Sequence, residues 1–255
     1  MPSPTVPPEV SHASSGKRRW RADLRRSVHL LKEFRHEQPD PQRFYTVLAQ
    51  DSAAQVGQYV DLASARLLDV GGGPGYFRDE FVRVGADYFS VDVDAHDVTG
   101  SREHRVVGSG MELPFRSGAF DVVYSSNVLE HVSDPWQMAE EMLRVVRPGG
   151  VVFISYTVWF GPWGGHETAP WHLLGGAYAR RRYRRKHGRE PKNRFGESLH
   201  AVTVADGVRW SARQQHGEVV DLTARYNPRW AHVLLRIPVL REVTTWNLVI
   251  VLRRR

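Results

Sequence analysis

Leu67-Leu68-Asp69-Val70-Gly71-Gly72-Gly73-Pro74-Gly75-Tyr76-Phe77 reads as a short apolar strand that runs into a glycine cluster and out into a helical pattern. Glycines at such a turn permit positive φ and let the backbone approach a ligand closely. The N–H groups that open the following helix are left free to bind it. The spacing is Gly71-x-Gly73-x-Gly75, and the third glycine of a dinucleotide fingerprint would fall on Tyr76. That argues against a pyrophosphate cradle and a nicotinamide enzyme. Asp92 closes the next apolar run, 21 residues after Gly71, where a carboxylate can bind both hydroxyls of a ribose. A glycine turn alone is equally a tight structural corner; joined to Asp92 it points to a nucleoside.

Outward from this turn, apolar runs alternate with helical stretches. The runs are Leu67–Val70, Tyr88–Val91, Arg105–Val107, Phe120–Tyr124 and Val151–Tyr156, with helices expected at Tyr76–Val84 and Pro135–Val146. Such alternation implies a parallel sheet covered on both faces. Upstream, Trp20, Leu24, Val28, Leu31 and Phe34 predict an amphipathic helix over about 17–37, with arginines on its other side. A second helix is expected from Pro41 to about Leu62. Residues 157–200 are rich in Gly, Trp, His and Arg without a period, and read as an insertion. Glu218–Arg225 and Trp246–Arg253 read as the last two strands, with a short helix or loop between them broken at Pro238.

The 255 residues suit one α/β domain, and 41% hydrophobic content supports an ordinary core. No cysteine is present, which excludes disulfides, thiolate metal sites and cysteine nucleophiles. Residues 1–16 carry Pro2, Pro4, Pro7, Pro8 and serines without an apolar core, so they read as a disordered lead-in and not a secretory signal. No apolar run approaches the roughly 18 residues of a membrane span, and a cytoplasmic location is expected. The net charge of +7 is uneven: residues 17–35 carry +6, residues 180–194 carry +8, Arg253–Arg255 carry +3, and the remainder carries −10. Local basicity of this kind suits surface patches that meet an anionic partner, or simply a solvated face.

Further motifs complete a pattern. Ser90-Val91-Asp92-Val93-Asp94 is followed by Gly108-Ser109-Gly110-Met111-Glu112-Leu113-Pro114-Phe115 and Phe120-Asp121-Val122-Val123. Asn127-Val128-Leu129-Glu130-His131-Val132 and Leu143-Arg144-Val145-Val146-Arg147-Pro148-Gly149-Gly150 come next. Together with the glycine turn they resemble, in order and at normal spacing over residues 66–156, the class I S-adenosylmethionine-dependent methyltransferases. The resemblance is to the small-molecule and lipid branch that includes ubiquinone/menaquinone-biosynthesis-like enzymes. It implies an α/β, Rossmann-like sheet of seven strands, mostly parallel with the last strand antiparallel, plus N-terminal helices (17–64) and an inserted lid (157–200) within a catalytic domain spanning 65–255.

By the same resemblance the cofactor is S-adenosylmethionine, with S-adenosylhomocysteine as product. Asp69, Gly71, Gly72, Gly73 and Gly75 would shape the pocket for the methionine end and sulfonium. Asp92 would hold the ribose and Val93 would line the adenine. Met111 and Glu112 would close over the adenine, and Ser126 and Asn127 would flank the methionine portion. The family's adenine-binding aspartate is replaced by Ser109, whose oxygen still accepts a hydrogen bond without charge assistance.

Methyl transfer from a sulfonium needs alignment and exclusion of water above all. A general base is required only where the acceptor must lose a proton. His131, at the sheet's carboxyl edge, is the first base candidate, or else a structural histidine at a helix start; Glu130 would orient it or sit solvated. The insertion, with Trp159-Phe160-Gly161-Pro162-Trp163-Gly164-Gly165-His166-Glu167 and Pro170-Trp171-His172, suits a lid. His166, the second catalytic candidate, Glu167 or His172 would there reach an acceptor hydroxyl. The spacing of these histidines matches no helical ligand pattern, so no metal is expected. The expected acceptor is a small molecule or a lipid-linked one, glycolipids included, methylated at oxygen. The basic runs 17–35 and 180–194 would rest on an anionic membrane surface. Two alternatives remain: an RNA methyltransferase, although Tyr183 alone interrupts the arginine run and supports little base stacking, and a non-catalytic nucleotide-binding module on the same fold.

Overall fold

The computed structural model describes residues 20–37, 39–94 and 104–255; the lead-in expected over 1–16 lies outside them. Seven strands form one sheet: β1 (Arg66–Val70), β2 (Asp87–Asp92), β3 (Arg105–Val107), β4 (Phe120–Ser126), β5 (Val146–Thr157), β6 (Gly217–Ala224) and β7 (Asn247–Arg254). Their spatial order is β3-β2-β1-β4-β5-β7-β6. All neighbours run parallel except β7, which is antiparallel to both β5 and β6. This is the expected sheet. The carboxyl ends of β1, β2, β4, β5 and β6 therefore share one edge.

Burial on both faces explains why the strands read as continuous apolar runs. Leu68, Val123, Val152, Ile154 and Ile250 face one core, against α4 (Pro135–Val145) and α6 (Val204–Arg213). Leu67, Val122, Tyr124, Phe153 and Val251 alternate onto the other, against α1 (Leu24–Phe34), α2 (Pro41–Val56) and α3 (Arg78–Arg83). Period-2 alternation in the strands separates the two sets. Aspartates start the helices: the side chains of Asp23, Asp40 and Asp134 accept the N–H of Arg26, Arg43 and Gln137 at 2.8, 3.3 and 3.0 Å.

Four expectations about helices are corrected. The first helix begins at Leu24, leaving Trp20 outside it. Its inward face is also not the apolar stripe: Leu24 and Val28 are 60% and 41% exposed, while Ser27, Leu30 and Glu33 are buried. Arg26 turns the helix, since its guanidinium grips the Asp51 carboxylate with both nitrogens at 2.6 Å and donates to the Arg225 carbonyl at 2.7 Å. The second helix stops at Val56, not Leu62, before Gly57. The third begins at Arg78, because Tyr76 and Phe77 belong to the glycine turn. Within the insertion, the arginine run forms a regular helix, α5 (Gly176–His187), and α6 was not foreseen. Its signal was present as a capping box between Thr203 and Asp206.

Candidate functional site

At the end of β1 the chain turns through Gly71 (φ +78°), Gly73 (φ +50°) and Gly75 (φ +93°). Gly71 also has no room for a side chain: a Cβ there would lie 2.4 Å from a Val128 methyl. Gly73 has open space beside it and needs glycine for its backbone angle alone. Its N–H donates to Asp92 Oδ2 at 2.8 Å, and the N–H of Asp94 donates to Oδ1 at 3.0 Å. A carboxylate accepts about four hydrogen bonds, so two lone-pair positions remain for a pair of ribose hydroxyls. Arg105 stitches the two loops together, donating to the carbonyls of Gly73 and Asp94 at 2.8 Å each. Val93 is exposed and Met111 half-buried, while Glu112 is exposed near the turn that Ser109 makes by accepting the Met111 N–H. An open glycine cradle, a ribose-ready carboxylate and an apolar rim fit S-adenosylmethionine.

Asp69 is buried beneath this turn and accepts the Tyr88 hydroxyl at 2.6 Å. Burial pushes its carboxyl up to about 7; the tyrosine bond opposes this, and the charge of Asp92 adds to it. Because the folded value exceeds the unfolded one of 3.8, the associated stability is full below pH ~4 and is lost as pH rises through about 7. Without cofactor, the unfolding free energy of Asp69→Asn relative to wild type should rise by up to about 4 kcal/mol between pH 4 and 8. Denaturant titrations at several pH values check this, and a difference independent of pH would contradict it.

Beside the glycine turn lies a cleft of ≈ 560 Å³ reaching from Asn127 to the insertion. Its apolar wall joins distant segments: Phe34 packs on Trp163 with ring centroids 4.7 Å apart, and Trp163 packs on Trp246, also at 4.7 Å. Tyr45 stacks on Tyr76 of the glycine turn at 4.9 Å, so α2 bridges the two pockets. Polar groups enter from Glu37, Asn127, His131, His166, Glu167 and Asn193. Burial raises the Glu37 carboxyl above its ordinary range, against the hydrogen bond from Tyr45.

His131 and His166, far apart in sequence, meet edge to face at 5.0 Å. His131 Nδ1 lies 2.8 Å from the Ser198 carbonyl oxygen. A carbonyl can only accept, so Nδ1 carries the proton and the neutral ring keeps its lone pair on Nε2. Burial lowers the pKa of His166 below its ordinary value, with the charge of Glu130 opposing. Glu130 neither orients His131 nor sits in solvent: it is buried, and its Oε1 accepts the Thr157 N–H at 3.0 Å. Glu130, His131 and His166 each offer a ligand atom within 4.8 Å of the others, a set that could hold a divalent cation. His172 leaves the candidate list, because it is fully buried with Nε2 3.2 Å from the Gly161 carbonyl and its ring against Gly165. It is part of the lid's own core.

Sequence reasoning missed Glu37, Tyr45, Asn193, Tyr226 and Trp246, which reach the cleft only through tertiary packing. It also missed Arg225. This arginine is 1% exposed and donates to Ser126 Oγ and Ser155 Oγ at 2.8 Å and to Ser52 Oγ. It ties α2, β4, β5 and the end of β6 beneath the expected methionine position. Nearby, Asn127 holds a positive φ of +57°, and its Oδ1 accepts from the Asn247 amide at 2.7 Å.

Residues 68–154 match the family described as "Methyltransferase domain". An uncharacterized methyltransferase of Mycobacterium sp. (strain KMS) is 49% identical over 244 residues, covering 91% of this chain and 96% of the relative. An uncharacterized methyltransferase of Mycobacterium tuberculosis is 49% identical over 245 residues with the same coverages. Among solved structures, an S-adenosylmethionine-dependent methyltransferase from Mesorhizobium loti superposes with a TM-score of 0.55 at 18% identity, covering 81% of this chain and 98% of that one. A geranyl diphosphate C-methyltransferase from Streptomyces coelicolor gives 0.54 at 13% identity, with 80% and 75% covered. The two structures share the fold, and the mycobacterial relatives share nearly the whole chain. With the glycine cradle and Asp92 in place, the chain belongs to the S-adenosylmethionine-dependent methyltransferases.

Proposed function

We propose that the protein methylates a hydroxyl oxygen of an amphiphilic acceptor, a small molecule or a lipid-linked one, with His131 as general base. The observation that carries this reading is that His131 Nε2, freed by the Ser198 contact, borders an aromatic cleft that adjoins the cofactor turn at Asn127. The bound cofactor supplies an electrophilic methyl group on a sulfonium. The aromatic walls exclude water and hold an apolar acceptor, while Asn127 and Asn193 offer hydrogen bonds that orient its polar end. With the cofactor bound, His131 Nε2 would accept the proton that the acceptor hydroxyl loses on methylation. His166, kept neutral by burial, packs against that imidazole and shields it. The residues proposed for the cofactor are Asp69, Gly71, Gly72, Gly73, Gly75, Asp92, Val93, Met111, Glu112, Ser126 and Asn127. A cytoplasmic setting beside a membrane suits such an acceptor.

Incubating lipid and polar extracts with the protein and donor carrying a deuterated methyl should give one labelled product by mass spectrometry, a lipid or a small molecule. Labelled RNA or no labelled product would contradict the reading. EDTA should leave turnover unchanged; loss of turnover restored by magnesium would make Glu130, His131 and His166 a cation site and displace His131 as base.

A further inference from the structure

The segment between β6 and β7 is short of reasons to be so apolar outside. In the 3₁₀ stretch Arg229–Arg236, Ala231 and Leu235 are buried, while Trp230 and Val233 are 73% and 54% exposed. Beyond it Ile237, Val239, Leu240 and Val243 are 43%, 75%, 42% and 50% exposed. Soluble surfaces scatter such side chains singly, and a contiguous group marks an interaction site. The tip is also strained. Val239, a β-branched residue, is held at φ +71° and ψ −58° by a tight turn in which Leu240 N–H donates to Pro238 O at 2.9 Å.

We propose that residues 229–243 are a membrane-docking surface that seats this protein on an anionic lipid bilayer, with the acceptor cleft opening beside the seat. Charge complementarity around an apolar, tryptophan-bearing face favours lipid as the occupant. Arg229 and Arg236 are exposed among the apolar side chains. Glu242 is the one acid in the segment, and it is turned inward, accepting the N–H groups of Val204 and Ala205 at 2.9 and 2.8 Å. Position supports the same conclusion. The segment leaves the carboxyl edge of the sheet, and its flanks, Tyr226 and Trp246, line the cleft. Arg229 N–H donates to Ala22 O at 2.6 Å, just ahead of α1. From there the exposed Leu24 and Val28 continue at helical spacing to Leu31, which lines the cleft. An apolar stripe thus runs from the proposed seat to the acceptor site.

The two basic runs contribute differently. Arg26 is paired with Asp51, and in α5 Arg180 and Arg184 are paired with Glu190. Arg181, Arg185 and Lys186 stay outward around Tyr178. They attract the surface without inserting.

The placement of the seat beside the acceptor cleft rests on the proposed function, whereas lipid docking does not depend on methyl transfer. Full-length protein is floated with vesicles of phosphatidylcholine plus about one-third phosphatidylglycerol, and with phosphatidylcholine alone. Wild type should float with the anionic vesicles and weakly with the neutral ones. Trp230→Ser with Val239→Ser should lower binding at least about tenfold, with S-adenosylhomocysteine binding and melting temperature unchanged. Arg181→Glu with Arg185→Glu should weaken it less and make it less salt-dependent. No flotation at low salt, or flotation indifferent to the Trp230/Val239 pair, would overturn the proposal. So would a dimer in solution that those substitutions dissolve, since the patch would then be covered by a second copy.

Discussion

Asp92→Ala is expected to raise the Kd for both S-adenosylmethionine and S-adenosylhomocysteine by about 10²- to 10⁴-fold while leaving the sheet intact. Each hydrogen bond from a ribose hydroxyl to a carboxylate contributes about 1.5–3 kcal/mol, and two are lost together. The substitution also removes the acceptor for the Gly73 and Asp94 N–H groups. Arg105 still ties Gly73 to Asp94 through their carbonyls, so the loops should loosen without unfolding. Asp92→Asn keeps one carbonyl acceptor and should fall between wild type and alanine. Isothermal calorimetry with the product checks the series, and affinities within twofold of each other would remove Asp92 from the site.

His131→Asn should lower kcat about 10²- to 10⁴-fold, the range that a positioned general base contributes, with KM little changed. Asparagine is chosen because its amide nitrogen falls near the position of Nδ1 and can still donate to the Ser198 carbonyl, which the native ring reaches at 2.8 Å. Only the group at Nε2 is lost, so a folding defect and a catalytic one separate. Unchanged kcat in His131→Asn would assign this histidine a structural part only.

The region 66–156 was legible because its signals are local. A strand, a glycine turn requiring positive φ and a carboxylate one strand later specify each other within a few tens of residues. The sheet order follows from such units. What was not legible depends on long-range choices. In α1 the stripe Trp20, Leu24, Val28, Leu31 is a valid apolar face by spacing, yet the Arg26–Asp51 pair rotates the helix so that Leu30 is buried and Leu24 is not. Periodicity could not show this, because Asp51 lies 25 residues away on α2. The pairing of His131 with His166, and the entry of Phe34, Tyr45, Tyr226 and Trp246 into one cleft, likewise depend on elements that meet only when the sheet closes. His172 shows the converse. Its composition suited an acceptor site, but the close approach of Gly165 to its ring makes it lid core.

The direct test of the account is calorimetric titration of the folded, full-length protein with S-adenosylhomocysteine. Saturable heat with one site per chain, abolished by placing a methyl group at Gly71 where Val128 leaves 2.4 Å, is the predicted result. A folded chain that takes up neither this compound nor its methylated precursor would contradict the assignment of the glycine turn and Asp92 as a cofactor site.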